Sequence, residues 1–311
     1  MHYTGTIWRP PYEADSLLLE VTAGCTHHRC KFCTLYHELP FQFKMTPLET
    51  VGRDLQEAQL WGTDPVARLA ARLQGRPEPG HVRRAFLVGA NPFVLQYGRL
   101  MEIAGLIQTY IPPIKTIGCF SRVTDIALKS DEELEALHRA GYDGLTIGIE
   151  TGDDEALKFM DKGYCAADIV EQCGRLDRAG IHYSFFCLIG ISGAGRGEAG
   201  ARATASVCNR LHPELIGVNM LTVYPESRLY EEVRRGSWKE AGEIEKYQEI
   251  RALLEGLEIP VRFAALGASN AFRFQGQLPG DKAAVRAALD NILETVREED
   301  LKEYRANLRH L

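Results

Sequence analysis

The sequence predicts an α/β fold in which six strands alternate with helices along 311 residues. Three observations carry this expectation. Short apolar runs recur along the chain, and stretches of helical period separate them. Capping residues mark several helix starts. Small residues stand just past each strand, where parallel α/β folds build their sites. The alternation argues for a parallel sheet with right-handed crossovers, and it allows either an open six-stranded sheet or a partial barrel.

Residues 1–15 read as an extended lead-in containing Trp8-Arg9-Pro10-Pro11. Ser16 to Thr22 is apolar enough for a buried first strand. A cysteine-bearing loop follows and continues through Tyr36, His37 and Pro40-Phe41-Gln42-Phe43. Thr46, Pro47 and Glu49 predict a capped helix start, with Thr46 as N-cap and Glu49 closing a capping box. That helix runs to about Trp61, with Leu48, Val51, Leu55 and Ala58 on one face. A short helix over 65–73 comes next, then a surface loop centred on Gly75-Arg76-Pro77-Glu78-Pro79-Gly80. The second strand spans 83–89, a helix 98–110, and the third strand 115–120. Ser130 and Glu133 form another capping box, opening a helix to about Ala140. The fourth strand covers 144–150, with helices at 154–160 and 166–179. The fifth strand covers 182–189. Gly193-Ala194-Gly195-Arg196-Gly197 lacks dinucleotide-binding spacing and reads as a flexible loop. A helix over 198–211 and the sixth strand, 215–223, complete the pattern. Beyond it come helices at 226–235 and 240–256, an irregular connection over 257–280, and a last long helix from Asp281 whose charged stretch near 297–309 reads as a solvated face.

With 45% hydrophobic and 25% charged residues the chain suits one large globular core. No run approaches the roughly 18 apolar residues of a membrane span. The N-terminal residues lack the basic and apolar regions of a signal peptide. Eight cysteines, three of them clustered, suggest metal binding in a reducing, cytoplasmic compartment rather than a disulfide framework. A net charge of −6 gives no support to a nucleic-acid partner.

The chemistry is concentrated in Gly24-Cys25-Thr26-His27-His28-Arg29-Cys30-Lys31-Phe32-Cys33, where three cysteines are spaced C-x4-C-x2-C just past the first strand. Three thiolates hold either an iron–sulfur cluster with one iron left open, or a zinc ion completed by His27, His28 or His37. The other strand ends deliver Gly89-Ala90-Asn91-Pro92, Ser121-Arg122, Glu150-Thr151-Gly152, Gly190-Ile191-Ser192-Gly193 and Tyr224-Pro225-Glu226. Cys119, Cys165, Cys173, Cys187 and Cys208 read as structural small hydrophobes.

Three cysteines after a first strand, with Phe32 before the last, resemble the cluster motif of the radical S-adenosylmethionine (SAM) superfamily. Its usual spacing is C-x3-C-x2-C, so this chain carries one extra residue between Cys25 and Cys30. Gly148-Ile149-Glu150-Thr151-Gly152-Asp153-Asp154, followed by Met160-Asp161-Lys162-Gly163, is similar to the fourth-strand motif of the elongator-type, methylthiotransferase and coproporphyrinogen-oxidase-like subgroup. Gly89-Ala90-Asn91 stands where the family has a Gly-Gly-Glu turn whose backbone binds the SAM amine. Val223-Tyr224-Pro225-Glu226-Ser227-Arg228-Leu229-Tyr230 resembles its sixth-strand Pro-Gly-Thr-Pro-Leu-Tyr segment, with the Gly-Thr replaced.

The resemblance implies a partial (β/α)6, TIM-like barrel with a small, mostly helical C-terminal cap. It divides the chain into a barrel with its cluster loop over 1–235 and a helical extension packed on the barrel over 236–311. It implies a [4Fe–4S] cluster held by Cys25, Cys30 and Cys33, with SAM on the fourth iron. Gly89, Ala90, Asn91, Ser121, Arg122, Glu150 and Lys162 would then surround SAM. Tyr36 and Arg122 either orient SAM or substrate or merely pack. The implied reaction is reductive cleavage of SAM to a 5′-deoxyadenosyl radical that abstracts hydrogen from a substrate. An electron donor such as flavodoxin or ferredoxin would supply the electron. The acidic charge favours a small-molecule substrate. Modification of RNA or a peptide is the second reading, and a zinc-binding structural or regulatory protein the third. No residue identifies the substrate or a catalytic group.

Overall fold

The computed structural model describes residues 1–75 and 82–308. They form two compact units. One comprises Met1–His28, Leu35–Thr146 and Arg178–His182, and the other Arg29–Thr34, Ile147–Asp177 and the described residues from Tyr183 onward. Most of the surface loop expected around Gly75–Gly80 lies outside the described residues.

The first unit holds β1 (Leu17–Glu20), β2 (Thr22–Gly24), β3 (Phe43–Met45), α1 (Leu48–Thr63), α2 (Pro65–Leu73), β4 (Arg84–Val88), α3 (Tyr97–Tyr110), β5 (Thr116–Ser121), α4 (Val123–Ile126) and α5 (Asp131–Arg139). β1 pairs in parallel with β4, and β4 with β5, so that Leu17 faces Ala85 and Arg84 faces Thr116. Phe86, Leu87 and Val88 are fully buried, as expected of a parallel strand covered on both faces. α3 buries Leu100, Ile103, Ala104 and Ile107, one face at helical spacing. α5 starts as expected: the Ser130 hydroxyl accepts from Glu133 N, and the Glu133 carboxylate accepts from Ser130 N at 2.9 Å.

Two features of this unit differ from the sequence reading. The first strand is followed by a two-stranded antiparallel ladder, β2 with β3, in which Thr22 faces Met45 and Gly24 faces Phe43. Gly24 adopts φ +77, and an added Cβ there would collide with the Gln42 carbonyl. Thr46 does not cap α1. Its N–H donates to the Val21 carbonyl at 2.9 Å, which keeps it in the ladder, and Pro47 takes the N-cap position. Backbone pairing has overridden the local capping signal.

β6 (Leu145–Glu150) begins in the first unit and ends in the second. The second unit continues with α6 (Asp154–Phe159), α7 (Ala166–Ala179), β7 (Tyr183–Ile189), α8 (Gly197–Cys208), β8 (Leu215–Met220), α9 (Arg228–Arg235), α10 (Glu243–Gly256), β9 (Val261–Ala265), β10 (Phe274–Leu278), α11 (Lys282–Thr295) and α12 (Glu298–Ala306). β7, β8 and β9 pair in parallel, and β10 closes antiparallel on β9. The stretch expected to be an irregular connection therefore contains two strands. The expected last long helix is two helices, broken where Val296 and Arg297 are extended. The break lets the Glu298 carboxylate accept from Glu243 N and Ile244 N, at 2.9 and 2.8 Å, supplying the α10 N-terminus with acceptors it otherwise lacks. The loop over 193–197 is tied down: Ala194 N donates to the Lys239 carbonyl, Gly195 N to Glu245, and Arg196 pairs with Asp153 and Glu155.

Glu249 of α10 is buried and accepts from Gly190 N at 2.8 Å. Burial pushes its carboxyl up to about 8. The Gly190 N–H and Lys246 oppose the shift, while Glu245 and Asp153 add to it. In the unfolded chain the group ionises near its ordinary 4.5, so the folded state holds a proton that the unfolded state has released. Stability should therefore fall as pH rises from about 4.5 to about 8. Glu249→Gln, neutral at every pH, should remove this part of the slope, which melting temperatures across that range would read.

Candidate cluster and SAM site

The cysteine segment is anchored at its start within the first unit. Cys25 follows β2, and its N–H donates to the Gln42 carbonyl at 2.9 Å across the base of the ladder. The Gln42 side chain donates to the Thr26 carbonyl at 2.9 Å. Asn91, fully buried after β4, donates to the Thr26 hydroxyl at 2.8 Å and to both Asp125 oxygens at 3.1 Å. The Thr26 N–H faces the Asn91 carbonyl oxygen at 3.4 Å. Asp125 also accepts from Arg122 N at 2.8 Å, and burial pushes its carboxyl up to about 6.

Of the remaining expected residues of this unit, Gly89 and Ala90 follow β4, Ser121 ends β5 and Arg122 follows it, and Tyr36 lies in the loop between β2 and β3. Gly89 adopts φ +133, and an added Cβ would collide with the buried Thr22 hydroxyl. Ala90 is half-buried. Ser121 is buried and donates to the Arg122 carbonyl at 3.0 Å. Arg122 caps α4 and donates to the Thr124 hydroxyl at 3.0 Å. Tyr36 is 7% exposed and holds φ +68 in a turn that its carbonyl closes with Leu39 N. His28 and His37 stack with ring centroids 5.1 Å apart, and burial followed by His37 lowers the His28 pKa.

The end of the cysteine segment, Arg29–Thr34, belongs to the second unit and is pinned there from two sides. Lys31 N donates to the Met160 carbonyl at 3.0 Å, and the Lys31 carbonyl accepts from Leu229 N at 2.8 Å. The Lys31 ammonium pairs with Glu232 at 2.7 Å and lies 4.0 Å from the Phe159 ring centroid. Arg228 donates to the Arg29 carbonyl at 2.8 Å. Phe32 packs on an apolar cluster of Met160, Ile191, Leu221 and Leu229. Between these anchors Cys33 N donates to the Cys30 carbonyl at 3.2 Å, closing a turn that spans the two cysteines.

Glu150 ends β6 at φ +64, a left-handed conformation that costs a non-glycine residue about 1–2 kcal/mol. Its carboxylate accepts from the Lys162 ammonium at 2.9 Å. The intervening motif is built to hold this pair. Gly148 has no side chain because an added Cβ would lie 2.7 Å from the Glu150 carboxylate. Gly152 N donates to the Thr204 hydroxyl at 2.8 Å. Asp153 caps α6, and Asp161 and Gly163, both at positive φ, turn the chain so that Lys162 points back. Lys162 is 4% exposed; burial, the largest single influence, opposes its charge, but Glu150, Tyr164 and Cys30 together outweigh it and raise its pKa well above the usual lysine value. The ammonium also lies 5.3 Å from the Tyr164 ring and 5.7 Å from the Phe32 ring.

The donor chemistry fits a cluster. Cys25, Cys30 and Cys33 are half-buried and form no disulfide. Cys119, Cys173, Cys187 and Cys208 are buried, and burial pushes each thiol up, away from the thiolate a metal needs. Among the described residues, no group of three or more His, Cys, Asp and Glu gathers about a point as one metal ion requires. A [4Fe–4S] cluster takes its thiolates on separate irons, so they need not converge on a point. No helix among the described residues is long and apolar enough to cross a membrane.

A family model described as the radical SAM superfamily matches residues 19–199, more than half of the chain. A search of curated proteins finds no match. Among solved structures, coproporphyrinogen III oxidase (HemN) from Escherichia coli is 15% identical with a TM-score of 0.51, covering 77% of this chain and 52% of that one. Elp3 from Methanocaldococcus infernus, with an N-terminal deletion, is 14% identical at 0.50, covering 63% and 49%. The radical SAM methyltransferase TsrM from Kitasatospora setae, with tryptophan and a SAM analogue bound, is 15% identical at 0.50, covering 89% and 53%. The chain thus spans about half the length of these structures. At such identities the likeness shows the fold, an α/β partial barrel.

Removing the Lys162 ammonium should leave the Glu150 carboxylate, 12% exposed, without its counter-charge. Lys162→Met should lower stability by about 3–5 kcal/mol, and adding Glu150→Gln should recover most of that loss, as read by denaturant unfolding. The family match and the fold agree: the chain belongs to the radical SAM superfamily, whose enzymes use a [4Fe–4S] cluster and SAM.

Proposed function

We propose that this radical SAM enzyme holds its cluster on Cys25, Cys30 and Cys33 and binds SAM beside Glu150 and Lys162. One observation carries the reading: buried Lys162 joins Glu150 at the end of β6 and lies over Phe32, between two of the cysteines. When bound, the cluster and SAM would together supply a 5′-deoxyadenosyl radical for hydrogen abstraction. The chain's own part is binding, orientation and exclusion of water. The Glu150 carboxylate offers an acceptor for an ammonium group, and Lys162 a cation for a carboxylate, so the pair suits both ends of an amino acid moiety. The Gly89–Asn91 turn, kept free of side-chain bulk at Gly89, lets backbone approach a ligand. Ser121, Arg122 and Tyr36 are candidates for further SAM or substrate contacts.

The substrate we favour is a small molecule, because the chain carries a net charge of −6. RNA or a peptide is the second reading, and an excess of bound RNA over free nucleoside in a competition assay would favour it. The electron donor is of the flavodoxin or ferredoxin kind, and the compartment cytoplasmic. We also retain the division into a barrel over 1–235 and a cap over 236–311.

Replacing Cys25, Cys30 and Cys33 together by Ala should abolish iron binding after anaerobic reconstitution. Retained iron with a visible charge-transfer band would contradict the ligand assignment. Substituting His27 or His28 should leave the iron content unaltered, whereas its loss would point to a histidine ligand. Glu150→Gln should keep the iron and weaken SAM binding, as measured by equilibrium titration.

A further inference from the structure

The resemblance places an acid after the second strand, where this chain has Asn91. We propose that Asn91 and Asp125 form a positioning pair that fixes Thr26, and with it the backbone carrying Cys25. The inference rests on Cys25 being a cluster ligand.

Three strand ends meet in the pair: Thr26 after β2, Asn91 after β4 and Asp125 in α4 after β5. Asn91 is fully buried, and Asp125 is 1% exposed. The two amide protons of Asn91 have separate acceptors. One goes to the Thr26 hydroxyl at 2.8 Å, and the other spans both Asp125 oxygens at 3.1 Å. The amide oxygen faces Thr26 N at 3.4 Å. Facing a carboxylate fixes which amide atom points where, because only the nitrogen donates. Asp125 is held in turn by Arg122 N at 2.8 Å, within the α4 capping box.

This arrangement explains the departure from an acid. A carboxylate at 91 would face the Asp125 carboxylate at hydrogen-bond distance in a buried place, where two like charges repel strongly. It would also lack a proton for the Thr26 hydroxyl oxygen. The amide satisfies both neighbours, so its side chain serves the cluster through Thr26 rather than by contact with SAM. Partners that orient a metal ligand set the geometry and retention of the metal site, and their loss weakens it without removing a ligand.

The test uses the reconstituted full chain. Asn91→Asp should release iron to a ferrous chelator about tenfold faster than wild type or more, and should alter the electron paramagnetic resonance spectrum of the reduced cluster. The reciprocal double variant N91D/D125N restores an amide facing a carboxylate and should return both readouts close to wild type. Thr26→Val, which removes only the hydroxyl, should also speed iron release without lowering the melting temperature of the apoprotein, and Thr26→Ser should not. Wild-type behaviour of both N91D and T26V would overturn the proposal, as would a double variant as defective as N91D. Cys25→Ala separates the two levels. If that variant keeps its iron, the ligand assignment fails. If it loses iron while N91D and T26V hold theirs, only the positioning pair fails.

Discussion

One ion pair organises the end of β6. Glu150 and Lys162 lie twelve positions apart in sequence, and their contact at 2.9 Å closes the loop between β6 and the turn after α6. A buried pair of this kind is a poor source of net stability, because desolvation consumes most of the attraction. What it fixes is direction. The carboxylate stands at the strand end on a backbone in the left-handed region, and the ammonium sits beside Phe32 of the cysteine segment. Strain, burial and paired charge are thus concentrated at one strand end.

The cysteine segment has no regular structure of its own, so its order is supplied by neighbours. At its start, the β2–β3 ladder and Asn91 hold Cys25 and Thr26. At its end, Met160, Leu229, Glu232 and Arg228 hold Arg29 and Lys31, while Phe32 is buried against apolar side chains. The extra residue between Cys25 and Cys30 falls between these two sets of anchors. Within that stretch His28 adopts φ +48, a left-handed conformation.

β1, β4, β5, β6, β7 and β8 were legible because burial on both faces leaves near-continuous apolar runs, as in Phe86-Leu87-Val88 and Leu145–Glu150. The Ser130 capping box was legible because both of its bonds are local. β9 and β10 were not: Gln275, Gly276 and Gln277 dilute the alternation, and their partners in the sheet, β9 with β8 and β10 with β9, are tertiary pairings that no local pattern records. The β2–β3 ladder escaped for the same reason, since Thr22-Ala23-Gly24 carries no apolar period. The Gly148–Glu150 and Lys162–Gly163 motif was visible in the sequence, whereas the ion pair it forms between Glu150 and Lys162 was not. Nor were the roles of Asp125 and Glu232, because their partners lie 34 and 201 residues away and no local pattern records such contacts.

The central claim is that the conserved chemistry of the superfamily operates on this scaffold with the extra residue in its cysteine spacing. The most direct measurement is anaerobic reconstitution with iron and sulfide, then reduction in the presence of SAM, with 5′-deoxyadenosine quantified. The account predicts about four irons per chain, as a [4Fe–4S] cluster requires, and 5′-deoxyadenosine that appears only when reductant and SAM are both present. Tight zinc binding with intact SAM would contradict it, and would leave the barrel as a mark of ancestry alone.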